Sequence, residues 1–196
     1  MEYISQSYDH LLGISGLSEA LLNNHFTLYQ GYVTNTNALI KEMQSLQLEG
    51  KAGLPVFSEL RRRFGWEWNG MRLHELYFDN MSKNPKTLSS ESLLGKNIVE
   101  SFGSFENWEQ DFRGAGAMRG IGWVVLSYDK HAKKMFNVWI GEHDLGHLAG
   151  TRPIVVMDVF EHAYSLDYGI KKADYIYVFM NAINWTEAEK RFETEV

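Results

Sequence analysis

Two long stretches of helical periodicity, separated by glycines and a proline, constrain this chain more than any other feature. In "LSEALLNNHFTLYQGYVTNTN", Leu21, Leu22, His25, Leu28, Tyr29, Tyr32 and Val33 recur at three- and four-residue spacing, so they share one helix face. Ser18 stands where an N-cap is needed, just before Glu19, Ala20 and Leu21. Gly50 and Gly53 end the stretch, and Pro55 opens the next. "VFSELRRRFGWEWNGMRLHELYFDNM" reads as a second helix, with interruptions expected near Gly65 and Gly70. Two such helices joined by a short connection make an antiparallel hairpin. "SKNPKTLSS" follows as a polar linker.

The second half changes character. Residues 91–101 and 104–118 read as short helices. "GIGWVVLSYD" and "MFNVWIGE" read as strands joined by a turn at "HAKK", and "TRPIVVMD" as a third strand. Helices are expected at 159–166 and 173–184. The fold class is therefore α+β: an N-terminal long helical hairpin over 1–83, and a C-terminal α/β domain over 90–196 with a three-stranded antiparallel sheet flanked by helices.

At 196 residues and 44% hydrophobic content, the chain can bury a core without covalent staples. It has no cysteine, which excludes disulfides, thiolate metal sites and a cysteine nucleophile, and fits a cytoplasmic setting. "MEYISQSYDHLLGISG" lacks the basic and apolar regions of a signal peptide, and no apolar run is long enough to span a bilayer. With a net charge of −6, nucleic acid is not an expected partner. The basic run Arg61, Arg62, Arg63 reads as a solvated helix face.

The chemistry concentrates in "VMDVFEHAY". Asp158, Glu161 and His162 interrupt an apolar run, and charges sit in such company only when paired or bound to metal. Asp158 and His162 are four residues apart, so on a helix they would share a face. His25, His74 and His143 also lie in apolar or aromatic contexts, whereas His10 and His131 lie in polar segments and read as surface residues. Taken singly, each apolar-context histidine reads as a hydrogen-bonded core residue. Taken together, His25, His74, His162 and Asp158 offer three imidazoles and a carboxylate, a donor set that suits zinc, iron or manganese. His143 and His147 form a competing pair, ranked lower because Gly146 lies between them.

These residues also carry a resemblance. "DVFEHAYSLDYGIKKADYIYVFMNAINW" resembles the Asp-x-Trp-Glu-His-Ala-Tyr motif, basic pair and closing Asn-Trp of iron/manganese superoxide dismutases. "HELYF" resembles that family's His-x-x-Phe-Trp helix. "FGSFENWEQDFRGAGAMRGIGWVVL" resembles its Phe-Gly-Ser-Phe helix and Gly-x-Gly-Trp strand, and the first helix resembles one in which a ligand histidine precedes a Tyr-Val and an Asn-rich turn. The resemblance implies a helical hairpin and an α/β domain with the metal between them. It implies one iron or manganese ion per chain on His25, His74, Asp158 and His162, with a lean to iron because His143 replaces the more usual glutamine. It implies Tyr32 at the mouth of the site and His143 as partner of the metal-bound solvent. Gly70 matches members whose solvent partner comes from that later position. The implied substrate is superoxide, disproportionated to dioxygen and hydrogen peroxide. A homo-oligomer, dimer or tetramer, is implied, with Glu161 reaching His162 of the other subunit. Lys171 and Lys172 match a basic pair that could steer the anion, and equally read as a solvated loop.

The first helix departs from the family pattern. His25 precedes Tyr32 by seven residues, one fewer than usual. Either Asn24 takes the ligand position, or His25 keeps it with one residue deleted. The second is favoured, because positions i and i+7 share a helix face and no π-bulge is then needed. Leu28 and Ser165 replace a histidine and a tyrosine that border the family's subunit interface, and Phe78, Val125 and Phe160 replace tryptophans of its aromatic cage. Two rival readings are a dismutase fold with little turnover, serving binding or structure, and a mononuclear iron oxygenase. The oxygenase chemistry prefers two histidines and one carboxylate.

Overall fold

The computed structural model describes residues 2–194; the outermost ends of the two expected domains, Met1, Glu195 and Val196, lie outside the described residues. Helix α1 runs Glu19–Leu48 and α2 runs Pro55–Asp79. Ser18 caps α1 as expected, its Oγ accepting from the Leu21 N–H at 3.1 Å. Pro55 occupies the first turn of α2, where its missing N–H costs nothing. Along the hairpin, Asn35 meets Glu67, Tyr32 meets Gly70, Tyr29 meets Glu75 and His25 meets Phe78. One number rises as the other falls, so the helices are antiparallel.

The expected interruption of α2 does not occur: the helix is continuous through Gly65 and Gly70. A glycine inside a helix costs about 1 kcal/mol, which the packing of a 25-residue helix overrides. Likewise α1 is α-helical throughout, with no π-segment between His25 and Tyr32.

Helices α3 (Leu93–Phe102) and α4 (Phe105–Ala117) precede the strands β1 (Gly122–Asp129), β2 (Lys134–Gly141) and β3 (Arg152–Asp158). The sheet order is β2-β1-β3, antiparallel at both seams. Central β1 is buried over nearly its whole length, which explains its near-continuous apolar run. Its register pairs Trp123 with Ile140 on one side and with Asp158 on the other, so Asp158 ends β3 beside Trp123.

The chain after β3 differs from expectation. Instead of a helix over 159–166, a 3-10 turn at Glu161–Ala163 leads into a four-residue α5 (Ser165–Tyr168). Phe160 is extended and Tyr164 departs from helical geometry, so the run cannot close as one α-helix. Helix α6 runs Lys172–Ala182, and α7 (Trp185–Glu193) is an element the sequence reading left out. Its buried stripe is only Trp185, Ala188, Arg191 and Phe192 among polar neighbours, a weak periodic signal. The core joins the inner faces of α1 and α2 to the sheet through Tyr29, Tyr77, Phe78, Trp123 and Phe179. Among the described residues, no helix is long and apolar enough to cross a membrane.

Candidate metal centre

Four side chains converge between the hairpin and the sheet. His25 comes from α1, His74 from α2, Asp158 from the end of β3 and His162 from the 3-10 turn. One donor atom of each lies within 4.8 Å of all the others. Asp158 Oδ2 is the common point: His162 Nε2 is 3.1 Å away, His25 Nε2 3.2 Å and His74 Nε2 3.7 Å. The pairing of Asp158 with His162 is therefore real, but its expected cause is not. They meet because the extended Val159–Phe160 step turns into the 3-10 segment, not because they share a helix face. Asn24 is exposed, whereas His25 is 1% exposed and faces the cluster.

The hydrogen bonds fix which nitrogen of His74 is free. Its Nδ1–H donates to the Gly70 carbonyl at 2.6 Å, one turn back on α2. Its Nε2 is left as a bare lone pair, buried and without a hydrogen-bond partner, aimed at Asp158. A buried unpartnered acceptor is costly. A cation among these donors removes that cost, and neutral imidazoles with one carboxylate suit a first-row transition metal. The residues fit such an ion.

Electrostatics agree. Burial holds His25 and His74 below the ordinary histidine range, so both rings are neutral and able to ligate. Burial alone would raise Asp158, but the attraction of His162 and the hydrogen bonds with His162 and His25 hold it far below the usual carboxylate range. Its Oδ1 accepts from the Phe160 N–H at 2.8 Å, and its backbone carbonyl accepts from the Tyr175 hydroxyl at 2.7 Å.

Beside the cluster, Tyr32 Oη and His143 Nε2 are 2.8 Å apart. Trp123 Nε1–H donates to His143 Nδ1 at 3.0 Å, so Nδ1 must be an acceptor and the proton sits on Nε2. His143 therefore donates to the Tyr32 oxygen. Burial pushes His143 down to about 4 and pushes the Tyr32 phenol above its ordinary range, so both keep these protonation states at neutral pH. Tyr32 lies against Gly70, where an added Cβ would come within 2.6 Å of the ring. Gly70 thus serves twice, as space for Tyr32 and as acceptor for His74.

Other expectations sort plainly. His147 is exposed and bonds only the His143 carbonyl, so those two histidines form no ligand pair. His10 and His131 are exposed. Lys172 is half-buried and donates to the Met118 carbonyl at 2.5 Å, while Lys171 is exposed. Arg61, Arg62 and Arg63 lie on the exposed face of α2. Phe78 and Phe160 border the site, Phe78 against His25 and Phe160 stacked on both His143 and His162. Val125 lies two residues along β1 from Trp123 and is buried. Leu28 is half-buried and Ser165 exposed.

The sequence reading missed Trp123, Trp66 and Tyr175. Trp66 was detectable in principle: 66, 70 and 74 recur at four, putting Trp66 on the face of α2 that carries His74.

Two buried imidazoles, a half-buried third and a buried carboxylate, gathered between an antiparallel helix pair and a three-stranded sheet, are the donor set of a mononuclear metal centre. Residues 90–191 match the family described as iron/manganese superoxide dismutases, C-terminal domain. A manganese superoxide dismutase of Haloferax volcanii is 34% identical over 181 residues, covering 92% of this chain and 89% of the relative. An iron superoxide dismutase of Cupriavidus metallidurans is 36% identical over 189 residues, covering 93% and 92%. One from Methanothermobacter thermautotrophicus, also iron, is 32% identical over 177 residues, covering 89% and 85%. The chain belongs to the iron/manganese superoxide dismutase family, oxidoreductases that act on superoxide.

Proposed function

We propose that His25, His74, Asp158 and His162 hold one iron or manganese ion per chain, with a lean to iron, and that Tyr32 and His143 are the catalytic residues of superoxide disproportionation to dioxygen and hydrogen peroxide. The observation that carries the ligand set is the orphaned His74 Nε2, buried and aimed at Asp158 with its other nitrogen already bonded. When bound, the metal supplies one-electron chemistry by alternating between trivalent and divalent states. The protein supplies the rest. Its donor set carries a single negative charge, so the loaded site stays cationic and favours an anionic substrate. His143 offers its Nε2 proton to Tyr32, which leaves the Tyr32 hydroxyl proton free to point toward solvent or substrate. That pair holds the protons that peroxide formation consumes.

Iron rather than manganese is favoured by His143 at the position where glutamine is more usual; relatives of comparable similarity carry either metal in their names. A homo-oligomer, dimer or tetramer, is part of this reading, supported by the exposed Glu161 next to His162, a carboxylate placed where the family resemblance has it bond His162 of a second copy. So is the division into domains 1–83 and 90–196, supported by the passage from helical hairpin to sheet across the linker after Asp79. A cytoplasmic setting is supported by the cysteine-free composition. The complete donor set argues against a fold retired to binding or structure, and its third histidine against an iron oxygenase.

The direct test of the ligand set is His74→Ala. The variant should lose its metal on dialysis while the wild type keeps it. Retention by the variant would refute the assignment.

A further inference from the structure

One aromatic side chain packs against both Tyr32 and His143, and it is held from both halves of the molecule. Trp66, on α2, sets its ring 4.5 Å from His143 and 5.6 Å from Tyr32, centroid to centroid. Its Nε1–H donates to Glu142 Oε2 at 3.0 Å, a bond that spans 76 residues and joins the hairpin to the segment just after β2. On the other side, the Arg63 guanidinium lies over the indole at 3.9 Å and is itself held by Glu67 at 2.6 Å. Glu142 is one of two described non-glycine residues with positive φ, at +49°. Glycine or asparagine suits that conformation better. A glutamate there is better explained by its side chain than by its backbone. Its own N–H bonds the Ile121 carbonyl at 3.1 Å, which anchors the residue whose carboxylate holds the indole.

We propose that Glu142 is a positioning residue, which holds Trp66 as a lid over the Tyr32–His143 pair so that small species reach the pair and bulky ones do not. This rests on the reading of Tyr32 and His143 as catalytic. It names a selectivity device for that site: a diatomic anion passes where a larger reagent is stopped. The element that decides the device is the carboxylate oxygen as hydrogen-bond acceptor, so glutamine, which keeps a carbonyl oxygen at the same reach, should preserve it. Alanine or glycine should release the indole and shift the balance of covered and open positions about two- to tenfold, the equivalent of one hydrogen bond.

The test uses tetranitromethane, a bulky reagent that nitrates accessible tyrosines, on the metal-loaded protein, with Tyr32 nitration followed by peptide mass mapping. Glu142→Ala should raise the Tyr32 nitration rate about two- to tenfold, and Glu142→Gln should match the wild type. Glu142→Gly, which loses the bond but relaxes the positive φ, should behave like Glu142→Ala and guards against a folding defect. Trp66→Phe, which keeps a ring but has no N–H, should also open the site. Unchanged nitration in the alanine and glycine variants would overturn the proposal. So would a glutamine variant that behaves like alanine, because charge and not hydrogen bonding would then govern. Failure of the dismutase reading is read separately, as a wild type that consumes no superoxide, and leaves the nitration result standing.

Discussion

Tyr32 Oη and His143 Nε2 lie 2.8 Å apart although 111 residues separate them, and the direction of that bond is set by a third residue, Trp123. Because Trp123 donates to Nδ1, His143 has only its Nε2 proton to give, and Tyr32 is left as the group that can donate onward. His143→Gln keeps an acceptor for Trp123 and a donor for Tyr32, and should melt close to the wild type. His143→Leu leaves the buried Trp123 N–H unpaired and should cost about 1–3 kcal/mol. It should also lower superoxide turnover about 100-fold or more through the lost proton relay. Thermal denaturation and superoxide consumption, measured on both variants, check the pair. Equal behaviour of the two would refute the tautomer assigned here.

Gly70 tests how tightly Tyr32 is held. Gly70→Ala gains about 1 kcal/mol of helix propensity, and the clash with the Tyr32 ring costs about 1–3 kcal/mol, so net stability should fall by about 0–2 kcal/mol. The ring, wedged between Gly70 and Trp66, must move. Turnover should fall about 10- to 100-fold, the usual cost of a misplaced catalytic group. Full turnover in this variant would show that Tyr32 has room the structure does not give it.

The metal-free protein should be acid-sensitive in a particular window. His25, His74 and His143 have folded-state pKa values held down by burial, His143 to about 4, against an ordinary value of 6.5. Depressed values mean that the unfolded chain binds these protons first. The stability they contribute is complete above about pH 6.5 and is lost as pH falls below it, at up to about 1.4 kcal/mol per pH unit for each ring. Asp158 does not titrate in this window, because its carboxyl is held far lower. Melting temperature followed from pH 8 to pH 5 should fall, steepest below 6.5. A flat profile would mean that the rings are not buried neutral.

Arg191 ties α7 to the rest of the fold. Its guanidinium, 5% exposed, donates to Asn80 Oδ1 at 2.8 Å and to the Leu76 carbonyl at 3.1 Å, while Asn80 Oδ1 also accepts from the Val156 N–H. Arg191→Ala removes one partner each from Asn80 Oδ1 and the Leu76 carbonyl, which both keep a backbone N–H, and should destabilise by about 1–3 kcal/mol. Metal content should be unchanged, since none of the four clustered donors lies on α7. Loss of metal without loss of stability would contradict this division of roles.

How much of this was legible in the sequence depends on how local each cause is. The helical hairpin was, because Leu21, His25, Tyr29 and Tyr32 repeat at a helical period and Pro55 marks a start. The gathering of the four candidate donors was, because His74 and Asp158 stand in apolar company that polar groups leave unless they are partnered. The continuity of α2 was not, because Gly65 and Gly70 argue locally for a break and only packing against α1 overrules them. The cause of the Asp158–His162 contact was misread, since four-residue spacing looks helical whether or not the backbone is. The Trp123–His143–Tyr32 chain was out of reach: its members lie on β1, after β2 and on α1, and a tautomer exists only once three elements have met. Helix α7 was missed because three apolar residues among charges give little periodic signal.

The central claim is that the four donors around Asp158 hold a working metal. The measurement that tests it most directly is metal analysis and superoxide consumption on one purified sample. About one iron or manganese ion per chain with fast superoxide turnover, both lost together in His74→Ala, is the expected result. A protein that binds neither ion after refolding with each, or that consumes superoxide undiminished without its metal, would contradict it.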